Sequence, residues 1–137
     1  MALAYLFDTN AVSDLIRNPA GIIADRIDVV GDDTVCTSTI VLSEIRYGIA
    51  KAGSHRLLRQ LETVLTELPV LPFEPPADRV YGEIRAYLER VGMPIGPNDL
   101  FIAAHALALD PTLVTANEQE FGRVPGLKVE NWLAVLE

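Results

Sequence analysis

The chain has a single cysteine, Cys36, so it can form neither an internal disulfide nor a thiolate metal centre. That scarcity points to a reducing cytoplasm. Its two histidines, His55 and His105, do not make a neighbouring pair of metal ligands. Aromatic residues are only 7% of the chain, which limits the surfaces on which bases could stack. No apolar run reaches the ~20 residues needed to cross a membrane. Met1 to Phe7 is apolar but has no basic lead, and Asp8 interrupts it, so it does not read as a secretory signal. Basic residues are also few. Eleven Lys and Arg face nineteen Asp and Glu, a formal net charge of −8. Taken alone, that argues against an unspecific polyanion binder, whose affinity comes from Lys and Arg on phosphates.

Half of the residues are hydrophobic, which excludes a disordered chain. At 137 residues, one domain spanning 1–137 is expected. A chain of this size hides roughly two thirds of its unfolded surface on folding. The charges are unevenly spread. From Ile45 to Leu61 there is no Asp or Glu, while Arg46, Lys51, Arg56 and Arg59 all fall there, with His55 among them. Acid gathers elsewhere, as at Asp25, Asp28, Asp32 and Asp33. Such a chain could hold a polyanion locally, although a solvated helix face gives the same pattern.

Short apolar stretches alternate with helical patterns. Leu3 to Phe7 reads as a buried strand ending at Asp8, and Asn10 as the cap of a helix reaching Arg17. Asn18-Pro19 breaks the chain, and Gly21 to Val30 reads as a helix stopped by Gly31. Thr34 to Thr37, rich in β-branched residues, is a second strand. Helices follow over Ile40–Ala52, capped by Ser38 or Thr39, and over Ser54–Glu67. Val70 to Phe73 is a brief strand. Ala77–Val91 and the strongly apolar Asp99–Leu109 are helices joined by a Gly/Pro loop. Leu113–Thr115 is a further strand, Glu118–Phe121 a helical turn, Leu127–Val129 an edge strand and Asn131–Leu136 a terminal helix. The order predicts an α/β fold, a mostly parallel central sheet of about four to five short strands flanked by helices.

In such a sheet, ligands bind beyond the carboxyl ends of the strands. Asp8 ends the first strand, Asn117 lies just past the last core strand, and Glu44 and Asp99 sit on helices that follow a strand and the Gly/Pro loop. Each has a plain structural explanation. Asp8 could cap the next helix, and Asp99 could be a first-turn acid favoured by the helix dipole. Glu44, on an apolar helix, is costly if unpaired. Together, three acids beside apolar sequence repel one another unless a cation sits among them. Oxygen-only ligands suit Mg²⁺ or Mn²⁺, ions that activate water and offset charge on a phosphoryl group.

Four motifs stand in a telling order: Tyr-Leu-Phe-Asp-Thr-Asn at 5–10, Ser-Glu at 43–44, Pro-Asn-Asp-Leu-Phe-Ile-Ala-Ala-His-Ala at 97–106 and Thr-Ala-Asn-Glu-Gln-Glu-Phe at 115–121. The first alone is a weak signal, but the ordered set resembles PIN domains over essentially the whole chain. It is similar to their VapC toxin branch, including the FitB-like proteins. The resemblance implies a single PIN domain that cleaves single-stranded or loop RNA by metal-assisted hydrolysis with Mg²⁺ or Mn²⁺. It also implies a cognate VapB-like antitoxin as partner, commonly a homodimer, and no membrane. Asp8, Glu44 and Asp99 match the family's first three acids. Where the family commonly has a fourth, this chain has Asn117, with Glu118 and Glu120 close behind. Asn117 is then a weak ligand or a supporting residue, and Glu120 a possible substitute. That departure bears on whether one ion or two are held.

By these roles Asp8 and Asp99 are direct ligands, and Glu44 a ligand or the group that orients the attacking water. Thr9 and Asn10 either hydrogen-bond the site or cap the first helix, the cap being the reading for Asn10. Arg17 and Arg46 are candidates for holding RNA phosphate, against a simple surface role. The surfaces offered to a second copy or an antitoxin are the apolar C-terminal half of the Asp99 helix and Tyr81 to Leu88, which could equally be core. His105, Trp132, Cys36 and Tyr47 are read as packing residues, with Tyr47 the one possible stacking platform, and His55 as exposed. Two rivals differ in class. One is a catalytically weak or inactive PIN fold that binds RNA or protein, favoured by Asn117. The other is a phosphatase resembling the haloacid-dehalogenase group, disfavoured because Asn10 stands where those need a second Asp.

Overall fold

The computed structural model describes residues 3–133. Five short strands make one sheet: β1 (Tyr5–Phe7), β2 (Val35–Ser38), β3 (Val70–Leu71), β4 (Thr112–Val114) and β5 (Val129–Glu130). They lie in the order β3-β2-β1-β4-β5, and all four pairings are parallel. The helices are α1 (Thr9–Arg17), α2 (Ile22–Val30), α3 (Thr39–Ala52), α4 (His55–Leu65), α5 (Ala77–Arg90), α6 (Pro97–Leu109) and the single turn α7 (Glu118–Phe121). The expected α/β class and strand count hold, and the sheet is wholly parallel.

The sequence pattern explains each layer. Leu6, Phe7, Val35, Cys36, Leu113 and Val114 are all buried, because parallel strands covered on both faces have no solvent side to alternate with. Ile102, Ala103, Ala104 and Ala106 of α6 are fully buried as well. A helix apolar all round must lie inside, and that burial fixes where its first turn, with Asp99, can sit. Tyr81 stacks on Phe101 at 4.2 Å between ring centres, so α5 and α6 cover each other. The apolar faces of these two helices are therefore mostly core. Cys36 is buried, with its thiol pushed up to about 11 by that burial. Trp132 is core, edge-on to Tyr5 and Phe7 at 5.0 and 5.3 Å.

Three expectations change. Asp8, not Asn10, caps α1: its Oδ1 accepts from the Ala11 N–H at 2.9 Å, and Asn10 lies exposed in the first turn. The extended backbone of Asp8 is the geometry an N-cap needs, two residues earlier than the apolar pattern suggests. Tyr47 is not a core tyrosine: it is 67% exposed. Of the terminal helix read over 131–136, Asn131 to Leu133 are not helical, and 134–136 lie outside the described residues. Ser38 caps α3 as expected, through the Ile40 N–H at 3.0 Å.

Candidate active site

The strand order places β1 at the centre, with β2 on one side and β4 on the other. The chain therefore leaves β1 toward one side and later returns on the opposite side. The carboxyl ends of β1 and β4 flank this topological switch point, where open parallel sheets form their binding crevice. Asp8 follows β1 directly, and its N–H donates to the Val114 carbonyl at 3.0 Å, so the residue is pinned between the two strand ends. It is 3% exposed. Burial raises its carboxyl above the usual range, against the opposing pull of hydrogen bonds from Thr115 and from the Ala11 and Asn10 N–H groups.

Glu44 comes from the second turn of α3 and is half-buried. Thr9 Oγ1 donates to its Oε1 at 2.7 Å, and Asn98 Nδ2 to its Oε2 at 3.3 Å. Both oxygens are thus tied, one to α1 and one to α6. Asp99, in the first turn of α6, is pushed up to about 7. Burial is the main cause, followed by the Glu120 carboxylate and then by Glu44 and Asp8. The four acids therefore feel one another across one crevice. None of Asp8, Glu44 and Asp99 takes part in an ion pair among the described residues.

The region after β4 brings Asn117 and Glu120 together. Asn117 Nδ2 donates to Glu120 Oε2 at 2.6 Å, and the Gly96 N–H donates to Glu120 Oε1 at 2.8 Å. Glu120 is held below the usual carboxylate range, first by that Gly96 bond and also by Asn117, Asp99 and the Arg123 charge. Asn117 faces Glu120 and serves as its holder. Its own N–H is anchored on Thr115 Oγ1 at 2.9 Å. Arg123 Nη1 donates to the Pro94 carbonyl at 3.0 Å and so fastens the loop that leads into α6.

Sequence reasoning missed Thr115, Gly96 and Arg123. The three-residue step from Asn117 to Glu120 on a helical turn was the available signal for the pair. No pattern signals that a loop N–H twenty-four positions away points at Glu120. Of the two arginines, Arg17 lines a groove shared with Glu44, and Arg46 lies exposed outside that lining. His105 is buried, its Nδ1 2.8 Å from Ser38 Oγ, and takes no part in the crevice.

The donor chemistry fits a hard divalent cation: carboxylate and amide oxygens, with Asp8, Glu44 and Asp99 in no ion pair among the described residues and only Glu120 drawn toward a cation, Arg123. Among the described residues, however, no three His, Cys, Asp or Glu side chains stand close enough together to grip one ion as they are. Glu44 is held by Thr9 and Asn98, and Glu120 by Gly96 and Asn117.

Comparison with known proteins identifies the family. The family model described as "PIN domain" matches residues 5–127. The chain is 36% identical over 132 residues to a protein named ribonuclease VapC2 from Rickettsia felis, covering 95% of this chain and 98% of that one. It is 37% identical over 131 residues to a tRNA(fMet)-specific endonuclease VapC from Salmonella typhimurium, covering 95% and 98%. Its fold superposes on a crystal structure of VapBC2 from Rickettsia felis bound to a promoter DNA fragment with a TM-score of 0.86, at 35% identity, covering 96% of this chain and 99% of that one. With the acids gathered at the β1/β4 switch point and these relatives aligned almost end to end, the chain belongs to the PIN-domain family, in its VapC branch.

Proposed function

We propose that this protein, acting as one domain over 1–137, is an endoribonuclease and the toxin of a VapBC-type pair, hydrolysing phosphodiester bonds in single-stranded or loop RNA with Mg²⁺ or Mn²⁺. The observation that carries the reading is the crowding of Asp8, Glu44, Asp99 and Glu120 in one crevice with Asp99 pushed up to about 7. Acids held together at that cost are a mark of a functional site. Asp8, Asp99 and Glu44 would hold the ion, with Glu120 as the fourth carboxylate and Asn117 as its support. An ion held there supplies positive charge at the scissile phosphate and makes water a better nucleophile near neutral pH. Glu44, fixed by Thr9 and Asn98, orients the attacking water from the α3 side. A VapB-like antitoxin is the expected partner and a homodimer the expected assembly. Among the described residues no helix is long and apolar enough to cross a membrane, and the cytoplasm is the expected compartment.

The test is cleavage of a mixed cellular RNA sample by the purified protein with Mg²⁺ or Mn²⁺, and with EDTA, beside an Asp8→Asn/Asp99→Asn double variant. Cleavage that needs the metal and is lost in the double variant is the expected result. A folded protein that retains RNA but cuts it under no metal would instead make it a binding module.

Thr9→Val tests the positioning of Glu44. It removes the 2.7 Å donor while leaving a residue of similar shape. Loss of a supporting hydrogen bond of this kind typically costs 10–100-fold. The expected result is a kcat lowered by about that factor, KM little changed, and recovery in Thr9→Ser. A KM effect without a kcat effect would place Thr9 in substrate binding instead.

A further inference from the structure

Two grooves border α1, one by the amino end of the sheet and one reaching the crevice, and they differ in charge. The larger, about 470 Å³, runs between α1, α2 and α4, and its rim carries Asp25, Asp28, Asp32 and Glu67. A polyanion would be repelled there. The smaller, about 160 Å³, runs between α1 and α3 toward the start of α4. It begins at Thr9 and Glu44 and leads to Arg17. Glu44 is the one carboxylate lining it among the described residues. Gly48 and Ala52 follow Glu44 at four-residue steps, so the α3 wall carries two very small residues in line with the acid, beside Ile45 and Ile49. A Cβ added at Gly48 would meet no other atom within 4 Å, so the space over that wall is open.

The shoulder of the groove is built from the adjoining stripe of α3. Tyr47 and Lys51 lie three positions on from Glu44 and Gly48, respectively, on the same side of the helix. Tyr47 is 67% exposed, and the Lys51 ammonium sits 6.0 Å from its ring centre. This is the acid-free stretch of Ile45 to Leu61, whose Arg46, Lys51, Arg56 and Arg59 are all exposed. Arg17 is in none of the ion pairs among the described residues. Thr9 and Arg17 lie eight residues apart on α1, roughly 12 Å along the axis. Arg17 therefore lines the groove about two helical turns from the Thr9 end.

We propose that the α1/α3 groove is the subsite for the RNA strand beside the scissile phosphate, with a nucleotide lying over the Gly48–Ala52 wall, Arg17 on a neighbouring phosphate and Tyr47 as a stacking face. This rests on the ribonuclease reading above and names how that substrate is held. The physical reasons are continuity with Glu44, a cation at the far end suited to phosphate oxygens, and an exposed aromatic ring. In a chain of net charge −8, a basic stretch free of Asp and Glu next to Glu44 lets RNA approach with less repulsion.

The experiment measures binding of a single-stranded oligoribonucleotide to full-length protein silenced by Asp99→Asn, in that background alone and with Arg17→Ala, Gly48→Leu or Tyr47→Ala added, across a salt series. Gly48→Leu fills the groove and is safe for the fold, since leucine is the better helix former and the position is open. Each variant is expected to weaken binding about tenfold. Arg17→Ala should also make the slope of log Kd against log salt shallower by about 0.7, the loss of one phosphate contact on a single strand. Arg17→Ala and Gly48→Leu that bind like the background, from a protein whose unsilenced form cleaves RNA, overturn the subsite alone. Variants that keep RNA but lose a co-expressed antitoxin assign the groove to protein and overturn it too. A parent that neither cleaves nor binds RNA overturns both this proposal and the ribonuclease reading.

Discussion

Asp8→Asn is expected to lower RNA cleavage by roughly 10³-fold or more while leaving the metal-free protein at least as stable as the parent. Asp8→Ala should lose activity equally but melt lower. The difference follows from the two tasks of this side chain. As a cap, it needs one oxygen that accepts the Ala11 N–H at 2.9 Å. Asparagine supplies that oxygen and is as good an N-cap as aspartate, whereas alanine forfeits about 1 kcal/mol. On a chain of this size that is a shift of roughly 4 °C in Tm. As a proposed ligand, Asp8 needs its charge, and neither variant has it. Several kcal/mol of transition-state stabilisation from an ion, at 1.36 kcal/mol per factor of ten, gives the size of the activity loss. Asp8 is 3% exposed and its carboxyl is raised by burial, so removing the charge relieves a cost rather than adding one. Activity on RNA and melting in EDTA are the two measurements. An Asp8→Asn protein that melts far below the parent would show that the charge itself holds the fold. One that still cuts would remove Asp8 from the site.

The same residue shows what a sequence can and cannot reveal. The apolar run ending in Asp8, the β-branched second strand and the all-apolar α6 are one-dimensional patterns, and each became the expected element. The convergence of Asp8, Glu44 and Asp99 could also be read, because strand ends and helix starts in a parallel sheet face one crevice. Element ends were less legible. Asp8 and Asn10 are both good caps, and only the tertiary bond from the Asp8 N–H to Val114 decides which one ends the strand. Glu120 was visible as an acid, but its fixation by Gly96 depends on where the 94–96 loop lands, and that is set by the packing of α6 and by Arg123 on Pro94. Tyr47 was misjudged because α3 buries Val41, Ile45 and Ile49, and a tyrosine two positions past Ile45 points away from that stripe.

The pH dependence of the metal-free protein should be inverted relative to that of a protein stabilised by its carboxylates, and Asp99 is the reason. Its carboxyl is pushed up to about 7 from an ordinary value of 3.8, so between those limits the folded state holds a proton that the unfolded state has released. Stability from this group is fully present below about pH 4 and is lost as pH rises through about 7. Asp8, also raised, acts in the same direction. Glu120 acts in the opposite one. It lies below its ordinary 4.5, so its contribution is present above that value and is lost in more acidic solution. His105 also opposes Asp99, since burial lowers its imidazole below 6.5 and its contribution grows as pH rises toward that value, but from about pH 5 to pH 7 the large rise of Asp99 sets the sign, and Tm in EDTA should fall as pH is raised. A divalent ion competes with the Asp99 proton, so below about pH 7 the apparent affinity for Mn²⁺ or Mg²⁺ should climb about tenfold per pH unit, with one proton released on binding, and flatten above it. Asp99→Asn should abolish both the fall in Tm across this window and the pH dependence of ion binding. Melting curves in EDTA and calorimetry in two buffers of different ionisation enthalpy measure the two effects. A Tm that rises from pH 5 to pH 7 in the parent, or ion binding that releases no proton at pH 6, would mean that Asp99 is already ionised in the folded protein and that the crowding of acids at the switch point is relieved in some other way.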